Sequence, residues 1–399
     1  MKMQSTTVQK ETPVREVFLP YNQPDIGQAE IDEIVDTLRS GWITTGPKTT
    51  EFERRFAGYV GARHAIAVNS CTGGLHVALA AAGVGPGDEV IVPTMTFCAT
   101  ANVVVHVGAD PVIVDVEPDT LNIAPRHIEA AITPRTKAII PVHLYGHPCD
   151  MGRIRQIAMT HRLLVVEDAA HAVAAEWHGR SVGTFSPATA FSFYATKNLT
   201  TAEGGMITTD DDDYAEKMRI WVLHGMSRDA WKRYSTEGSW YYEVVAPGFK
   251  YNLTDLQSAL GLHQLNRLEE MTQWRAQLAA RYYDGLCDLP EIELPTVRPD
   301  VRHAWHLYAV RLRLSMLTID RATFIERLKV EGIGTSVHFI PLHRQPYYRD
   351  RFGLKPSDFP VADAAYERLI SLPLYTRMTD SDVDDVVQSV RHIVRRSQQ

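Results

Sequence analysis

The stretch Phe191–Thr209 reads "FSFYATKNLTTAEGGMITT" and sets a single lysine, Lys197, between an apolar strand pattern and a Gly-Gly turn, with no acidic residue beside it. A lysine in an apolar setting is costly to desolvate unless something uses it. The runs "TAFSFY" (189–194) and "GGMITT" (204–209) on either side read as short buried strands.

Working outward, short β-branched runs alternate with helical patterns. "AIAVNS" (65–70), "EVIVP" (89–93), "DPVIVDV" (110–116), "KAIIPVHL" (137–144) and "LLVVED" (163–168) read as strands. Helices are expected through "GGLHVALAAAGV" and "ATANVVVHVG", near 127–132 and at 152–161. Such alternation predicts an α/β fold with a mainly parallel sheet covered on both faces by helices. Ahead of it, "QAEIDEIVDTLRSG" (28–41) carries Ile31, Ile34, Val35 and Leu38 at helical spacing before a glycine stop, and "WITTGPK" follows as a loop. Beyond it, a long helix near 255–280 opens with Thr254-x-x-Gln257, the capping-box pattern. "AWHLYAVRL" (304–312), a helix at 321–331, "TSVHFIP" (335–341) and a last helix at 380–395 suggest a smaller α/β domain. The expected organisation is a loose polar arm over 1–20, a large domain over 21–265 and a small C-terminal domain over 266–399.

The chain has 399 residues, 45% of them hydrophobic, enough for one large core and a smaller one. With 41 basic against 48 acidic residues, the net charge of -7 offers no basic field for nucleic acid. Cys71, Cys98, Cys149 and Cys287 share no C-x-x-C spacing and read as reduced thiols. The opening residues lack an apolar signal region, and no apolar run approaches the ~20 residues a membrane helix needs. These features predict a cytoplasmic protein that engages neither nucleic acid nor membrane.

Neither G-x-G-x-x-G nor G-x-x-x-x-G-K-[ST] occurs at the expected places, which sets aside dinucleotide and P-loop chemistry. "NSCTGGLHVAL" still places Ser70, Thr72, Gly73 and Gly74 between a strand and a helix. That arrangement reads either as an anion site at a helix N-terminus or as an ordinary tight turn. Glu167-Asp168 ends a strand, where ligands of parallel sheets sit, although a lone carboxylate there can equally be a solvated strand end or a cap. "HLYGH" offers His143 and His147 at the spacing of a helical metal pair, but Pro141, Pro148 and Gly146 argue against a helix, and no metal is expected. A partly desolvated lysine near a phosphate site has a depressed pKa suited to Schiff-base chemistry. A lysine, a carboxylate for a ring nitrogen and a phosphate cradle are together what pyridoxal 5'-phosphate requires.

These segments resemble the DegT-type nucleotide-sugar aminotransferases, a branch of the aspartate-aminotransferase-like, fold type I enzymes that use pyridoxal phosphate. The resemblance runs from about Leu19 to the C-terminus through "SGWITTGPKTTEFE", "NSCTGGLHVAL", "VEDAAHAVAAEWHGRSVGTFSPATAFSFYATKNLTTAEGGMITT", "PGFKYNLTDLQSALGLHQL" and "SVHFIPLHRQPYYRDRFG". It implies that Lys197 is the Schiff-base lysine, Asp168 the pyridinium partner and His171 the neighbour of the phenolic oxygen. Thr72, Gly73 and Ser192 are similar to the phosphate ligands, and Phe97 to the aromatic that stacks on the ring. Asn252 is similar to an asparagine that reaches the other subunit's phosphate, which implies a homodimer with shared sites. It also reads as a helix-preceding turn residue. The implied reaction moves an amino group from L-glutamate to a nucleotide-linked keto sugar, by way of the pyridoxamine form. The wording resembles enzymes that aminate carbon four of UDP-linked sugars, with a dTDP-sugar the other expectation. Thr44, His338, Arg344 and Tyr347 would then border the substrate, while His338 equally reads as a hydrogen-bonded strand histidine. A dehydratase of the same fold would carry histidine at the place of Lys197, and a non-catalytic descendant would have no use for the lysine.

Overall fold

The computed structural model describes residues 13–227 and 241–399, so most of the expected N-terminal arm lies outside the described residues. In chain order the strands are β1 His64–Val68, β2 Glu89–Pro93, β3 Asp110–Val114, β4 Thr136–Ile139, β5 Leu164–Asp168, β6 Glu176–Trp177, β7 Arg180–Ser181, β8 Ala188–Ser192 and β9 Gly205–Thr209. There follow β10 Ile292–Glu293, β11 Val301–Arg302, β12 Tyr308–Leu312 and β13 Leu369–Leu372. The helices are α1 Gln28–Ser40, α2 Pro47–Val60, α3 Cys71–Ala81, α4 Ala99–His106, α5 Pro125–Ala131, α6 Met151–His161, α7 Asp212–Val222, α8 Asp255–Leu286, α9 Arg321–Val330, α10 Pro346–Phe352, α11 Pro360–Tyr366 and α12 Asp380–Arg395.

Seven strands form the main sheet in the order β1-β9-β8-β5-β4-β2-β3. The strands from β8 through β5, β4 and β2 to β3 run parallel, whereas β9 runs antiparallel to both β8 and β1. Successive side chains on a strand face opposite sides. Ala65 and Ala67 therefore join one apolar layer with Phe52, Phe56 and Phe191, while Ile66 and Val68 join the other with Leu75 and Val103. Both faces are dry, which is why these strands read as continuous apolar runs. A smaller sheet, β10-β12-β13, packs against the second half of α8, α9 and α12 around Tyr282, Tyr308 and Phe324. Helix α8 carries the predicted capping box at Thr254 and Gln257.

Three differences from expectation have local causes. Helix α2 begins inside the expected "WITTGPK" loop, because Pro47 occupies the first helical turn, where its missing N–H is harmless. The buried Asp255 carboxylate caps it, accepting from Gly46 N–H at 2.8 Å and Thr49 N–H at 2.9 Å. "TSVHFIP" forms no regular strand: Ser336 bridges to Ser371, while the His338 carbonyl takes its hydrogen bond from the Tyr145 hydroxyl. Leu19, inside the expected loose arm, is buried and bridges to Ile333.

Candidate active site

The strand order brings the carboxyl ends of β1, β8 and β5 to one edge of the sheet, the place where open α/β folds bind ligands. Because β9 runs backwards, its first residue also lies there. Gly205 stands opposite Val68 on one side and Ser192 on the other. A Cβ at Gly205 would sit 2.7 Å from the Cys71 nitrogen, so glycine is what lets the strand approach the start of α3.

At that start, Ser70 caps the helix by accepting from Gly73 N–H at 3.0 Å, and Gly74 N–H donates to the Ser70 carbonyl. Among the described residues, the N–H groups of Cys71 and Thr72 meet no acceptor. The N–H groups left without an acceptor at this helix start are thus those of Cys71 and Thr72, while the N–H of Gly73 is already used by Ser70 and Gly74 serves packing against Ile207 and Ala190. Ser192, buried at the end of β8, holds its hydroxyl oxygen 3.4 Å from Tyr194 N–H.

Asp168 ends β5 and is 5% exposed. Its Oδ2 accepts from the Thr100 hydroxyl at 2.8 Å and its Oδ1 from Ala170 N–H at 3.1 Å. The Thr100 oxygen is itself 2.7 Å from that of Thr96, so a buried hydroxyl pair stands behind the carboxylate. Burial pushes the Asp168 carboxyl up, with Thr100 the chief opposing influence. Among the described residues no cation lies within ion-pair distance of it. Lys197 sits on the 193–204 loop between β8 and β9, which is closed by Phe193 N–H to Gly204 and Thr201 N–H to Phe193. Its amine makes no hydrogen bond or ion pair to the described residues. Desolvation lowers it to about 8, against the opposing pull of Cys71 and Asp168.

His171 is buried within reach of the Lys197 charge, its ring against those of His306 and Phe339. Tyr145 N–H donates to its Nδ1 at 3.2 Å, which fixes the ring proton on Nε2 and leaves that N–H free to donate. Tyr145 reaches this position through a left-handed backbone, φ 60°, in the "HLYGH" turn. His306, which the sequence reading did not single out, lies 4.4 Å from the His171 ring centre and pairs with Asn198. Burial, then the Lys197 charge, holds both rings well below the usual histidine range. His338 is driven to about 4 by the same two influences, and its Nδ1 lies 2.9 Å from the Ser371 hydroxyl. The histidines of "HLYGH" serve as structural hydrogen-bonding groups: His143 Nε2 meets the buried Glu167 at 2.8 Å, and His147 meets the Pro148 carbonyl.

The remaining candidates are more dispersed. Phe97 is 58% exposed, with its ring 5.8 Å from Phe339. Asn252 bridges to Val68 and donates to the Thr45 hydroxyl at 2.6 Å, beside Lys250. The exposed Thr44 lends its carbonyl to Asp255 N–H, and Tyr347 is half exposed above Tyr348. Arg344 is bound to Asp363 at 2.6 Å and Glu367 at 2.5 Å, so its charge is compensated within the chain rather than left for a diphosphate.

Two free N–H groups at a helix start, a carboxylate without a cation and an amine near pKa 8 suit the phosphate, the ring nitrogen and the aldehyde of pyridoxal phosphate. The chain matches the DegT/DnrJ/EryC1/StrS aminotransferase family over residues 24–391. It is 54% identical over 382 residues to the spore coat polysaccharide biosynthesis protein SpsC of Bacillus subtilis, covering 96% of this chain and 98% of that one. An uncharacterized protein of Methanocaldococcus jannaschii is 55% identical over 381 residues, covering 96% and 99%. The fold superposes on "Putative sugar aminotransferase Spr1654" of Streptococcus pneumoniae in its PMP form with a TM-score of 0.89 and 38% identity, covering 95% and 99%. Its PLP form gives the same TM-score. The chain belongs to the DegT/DnrJ/EryC1/StrS aminotransferase family and is a pyridoxal-phosphate-dependent sugar aminotransferase.

Proposed function

We propose that this enzyme transfers the amino group of L-glutamate to the carbon-four carbonyl of a UDP- or dTDP-linked keto sugar, releasing 2-oxoglutarate. The observation that carries the reading is the unpaired Lys197 amine, lowered to about 8, in the field of the buried Asp168. Bound pyridoxal phosphate supplies an electron sink for the donor's α carbon. Around it, Cys71 and Thr72 N–H and the Ser192 hydroxyl bind the phosphate, with Gly73 shaping the turn. Asp168, aimed by Thr100 and Ala170, holds the proton on the ring nitrogen. His171 donates from Nε2 to the phenolic oxygen, and Phe97 covers the ring. Lys197 Nζ takes the donor's α proton and returns it to the cofactor side, acting first as base and then as acid. The same groups serve the keto sugar in reverse.

In this reading the chain works in the cytoplasm as a homodimer, with Asn252 completing the partner's phosphate site. The exposed Trp42, Ile43, Tyr241 and Val244 support it, since large apolar side chains left open to solvent suit an interface. Thr44, His338 and Tyr347 border the sugar nucleotide, and the division into residues 1–20, 21–265 and 266–399 separates arm, cofactor domain and small domain. The similarity to SpsC supports a surface polysaccharide as the destination of the amino sugar. The test is the visible absorbance of the cofactor-loaded protein with L-glutamate, followed by mass spectrometry of UDP- and dTDP-4-keto sugars. A band that ignores glutamate overturns the donor. Loss of the sugar's hydroxyl without gain of nitrogen indicates the dehydratase.

A further inference from the structure

Asn198 follows Lys197 on the 193–204 loop and is 5% exposed. Its Nδ2 donates to the Ala304 carbonyl at 2.6 Å, and its Oδ1 lies 3.2 Å from Nδ1 of His306. A carbonyl can only accept, so the first bond fixes which end of the amide faces the ring. The Asn198 oxygen can likewise only accept, which places the His306 proton on Nδ1. That ring is buried, and its Nε2 meets no partner among the described residues. Burial and the surrounding Lys197, His171, Arg275 and His338 all disfavour its charged form, so Nε2 keeps its lone pair.

His306 belongs to the 303–307 segment that leads into β12, whereas His171 follows β5. The two rings nevertheless meet, their centres 4.4 Å apart and their planes at 36°. Two more bonds fasten the segment at the same place. Ala304 N–H donates to the Gly146 carbonyl at 2.9 Å, and His306 N–H donates to that of Tyr145 at 3.0 Å. Tyr145 N–H is in turn the group that holds His171 Nδ1. One buried amide therefore joins the lysine's loop to both histidines, between the main sheet and the segment entering the smaller one. The bond from Tyr145 fixes His171 at a single atom and leaves the ring a tilt. The rings of His306 and Phe339 packed against it supply the remaining constraint.

We propose that His306 is a positioning residue of the cofactor site, its proton held on Nδ1 by Asn198 and its ring steadying His171 so that the His171 Nε2–H stays aimed at the phenolic oxygen. This rests on the placing of His171 in the aminotransferase reading above and deepens it, since the lysine and the phenolic-oxygen donor are then set by one shared clamp. The opposite tautomer of His306 would bury two acceptors face to face, its own Nδ1 and the Asn198 oxygen. A charged His306 would add a second cation beside Lys197. The clamp excludes both and leaves a neutral donor, His171, against a neutral acceptor.

The experiment compares wild type, Asn198→Ala, His306→Phe, the double variant and His171→Phe, all loaded with pyridoxal phosphate. The readout is the pH midpoint of the bound cofactor's visible band. A donor on the phenolic oxygen draws that oxygen away from the proton it shares with the lysine nitrogen, so loosening the donor should raise the midpoint. Asn198→Ala and His306→Phe break the same bond. Each should raise the midpoint by roughly one pH unit, the double variant by no more than either, and His171→Phe by at least as much. In a second readout, two-bond proton–nitrogen NMR of the cofactor-free, histidine-labelled protein should show His306 protonated on Nδ1 and His171 on Nε2. Asn198→Ala should leave His306 as a mixture of tautomers. Additive shifts overturn the proposal, as does a midpoint that moves in His171→Phe alone, and both leave His171 in its place. A midpoint unmoved in His171→Phe overturns the placing of His171, and the proposal with it. A wild type that takes up no cofactor overturns the aminotransferase reading itself. Should the variants fail to fold, the wild-type NMR spectrum decides: a His306 proton on Nε2 refutes the clamp, and one on Nδ1 alone supports it.

Discussion

Titrating the cofactor-free protein will show Lys197 losing its proton near pH 8 instead of near the 10.5 of a solvated lysine. Desolvation is the largest influence and favours the neutral amine, while Cys71 and Asp168 favour the ammonium. At pH 7 an amine of pKa about 8 is roughly 9% neutral, against roughly 0.03% at 10.5, so Lys197 offers ~300 times more nucleophile than an ordinary lysine. The assay is the pseudo-first-order rate of pyridoxal phosphate capture across pH, with a lysine peptide titrated alongside so that the aldehyde's own ionisations cancel. Reductive trapping and peptide mapping then confirm the site. Asp168→Asn removes a charge that favours the ammonium, so its midpoint should fall further. A wild-type midpoint above about 10, or one that rises in Asp168→Asn, would refute the argument that burial activates this amine.

The same lowered pKa has a cost in stability. The folded-state pKa lies below the unfolded one, so the penalty is fully present below about pH 8 and vanishes as pH rises past 10.5. Lys197→Met should therefore stabilise the cofactor-free protein by up to ~3 kcal/mol at pH 7 and by much less at high pH, read from urea midpoints. An equal gain at both pH values would contradict the assignment. Thr100→Val deletes the 2.8 Å donor to Asp168 and should lower turnover roughly 10- to 100-fold, with Thr100→Ser restoring most of it. Unchanged turnover would mean that Asp168 is held by other groups. Gly205→Ala pushes a methyl against Cys71 N and the Phe191 carbonyl, each 2.7 Å away, and should destabilise the fold by ~1–3 kcal/mol. It should also weaken cofactor affinity, and a variant with wild-type melting and affinity would show that the strand can yield.

Asp168 is legible in the sequence because residue type and position at a strand end coincide, Lys197 because a lone amine stands between two apolar runs, and β1 to β5 announce themselves as dry apolar runs. What stays hidden is whatever depends on distant partners. Thr100 looks like any helical threonine until folding brings it to Asp168, 68 residues later. His306 lies within a strand-like run whose neighbours are unknowable locally. Helix α2 has a usable signal in Phe52, Phe56 and Val60 at helical spacing, masked by reading Pro47 as loop. The direction of β9 carries no local mark. The segment 193–204 before it holds no helix, and that is the clue that the chain turns back instead of crossing over.

That reversal has a consequence for vectorial synthesis. Strand β1 takes its ladder bonds from β9, with His64 opposite Thr209, about 145 residues downstream. A ribosome-bound chain that has emitted the phosphate turn at Ser70 cannot seat it until the Gly205–Thr209 segment has emerged, and by then Asp168 and Lys197 have emerged too. Vitamin capture by a chain that has not yet reached Thr209 is therefore barred by topology, and a C-terminal truncation ending before Gly204 loses its binding edge along with its lysine's loop closure.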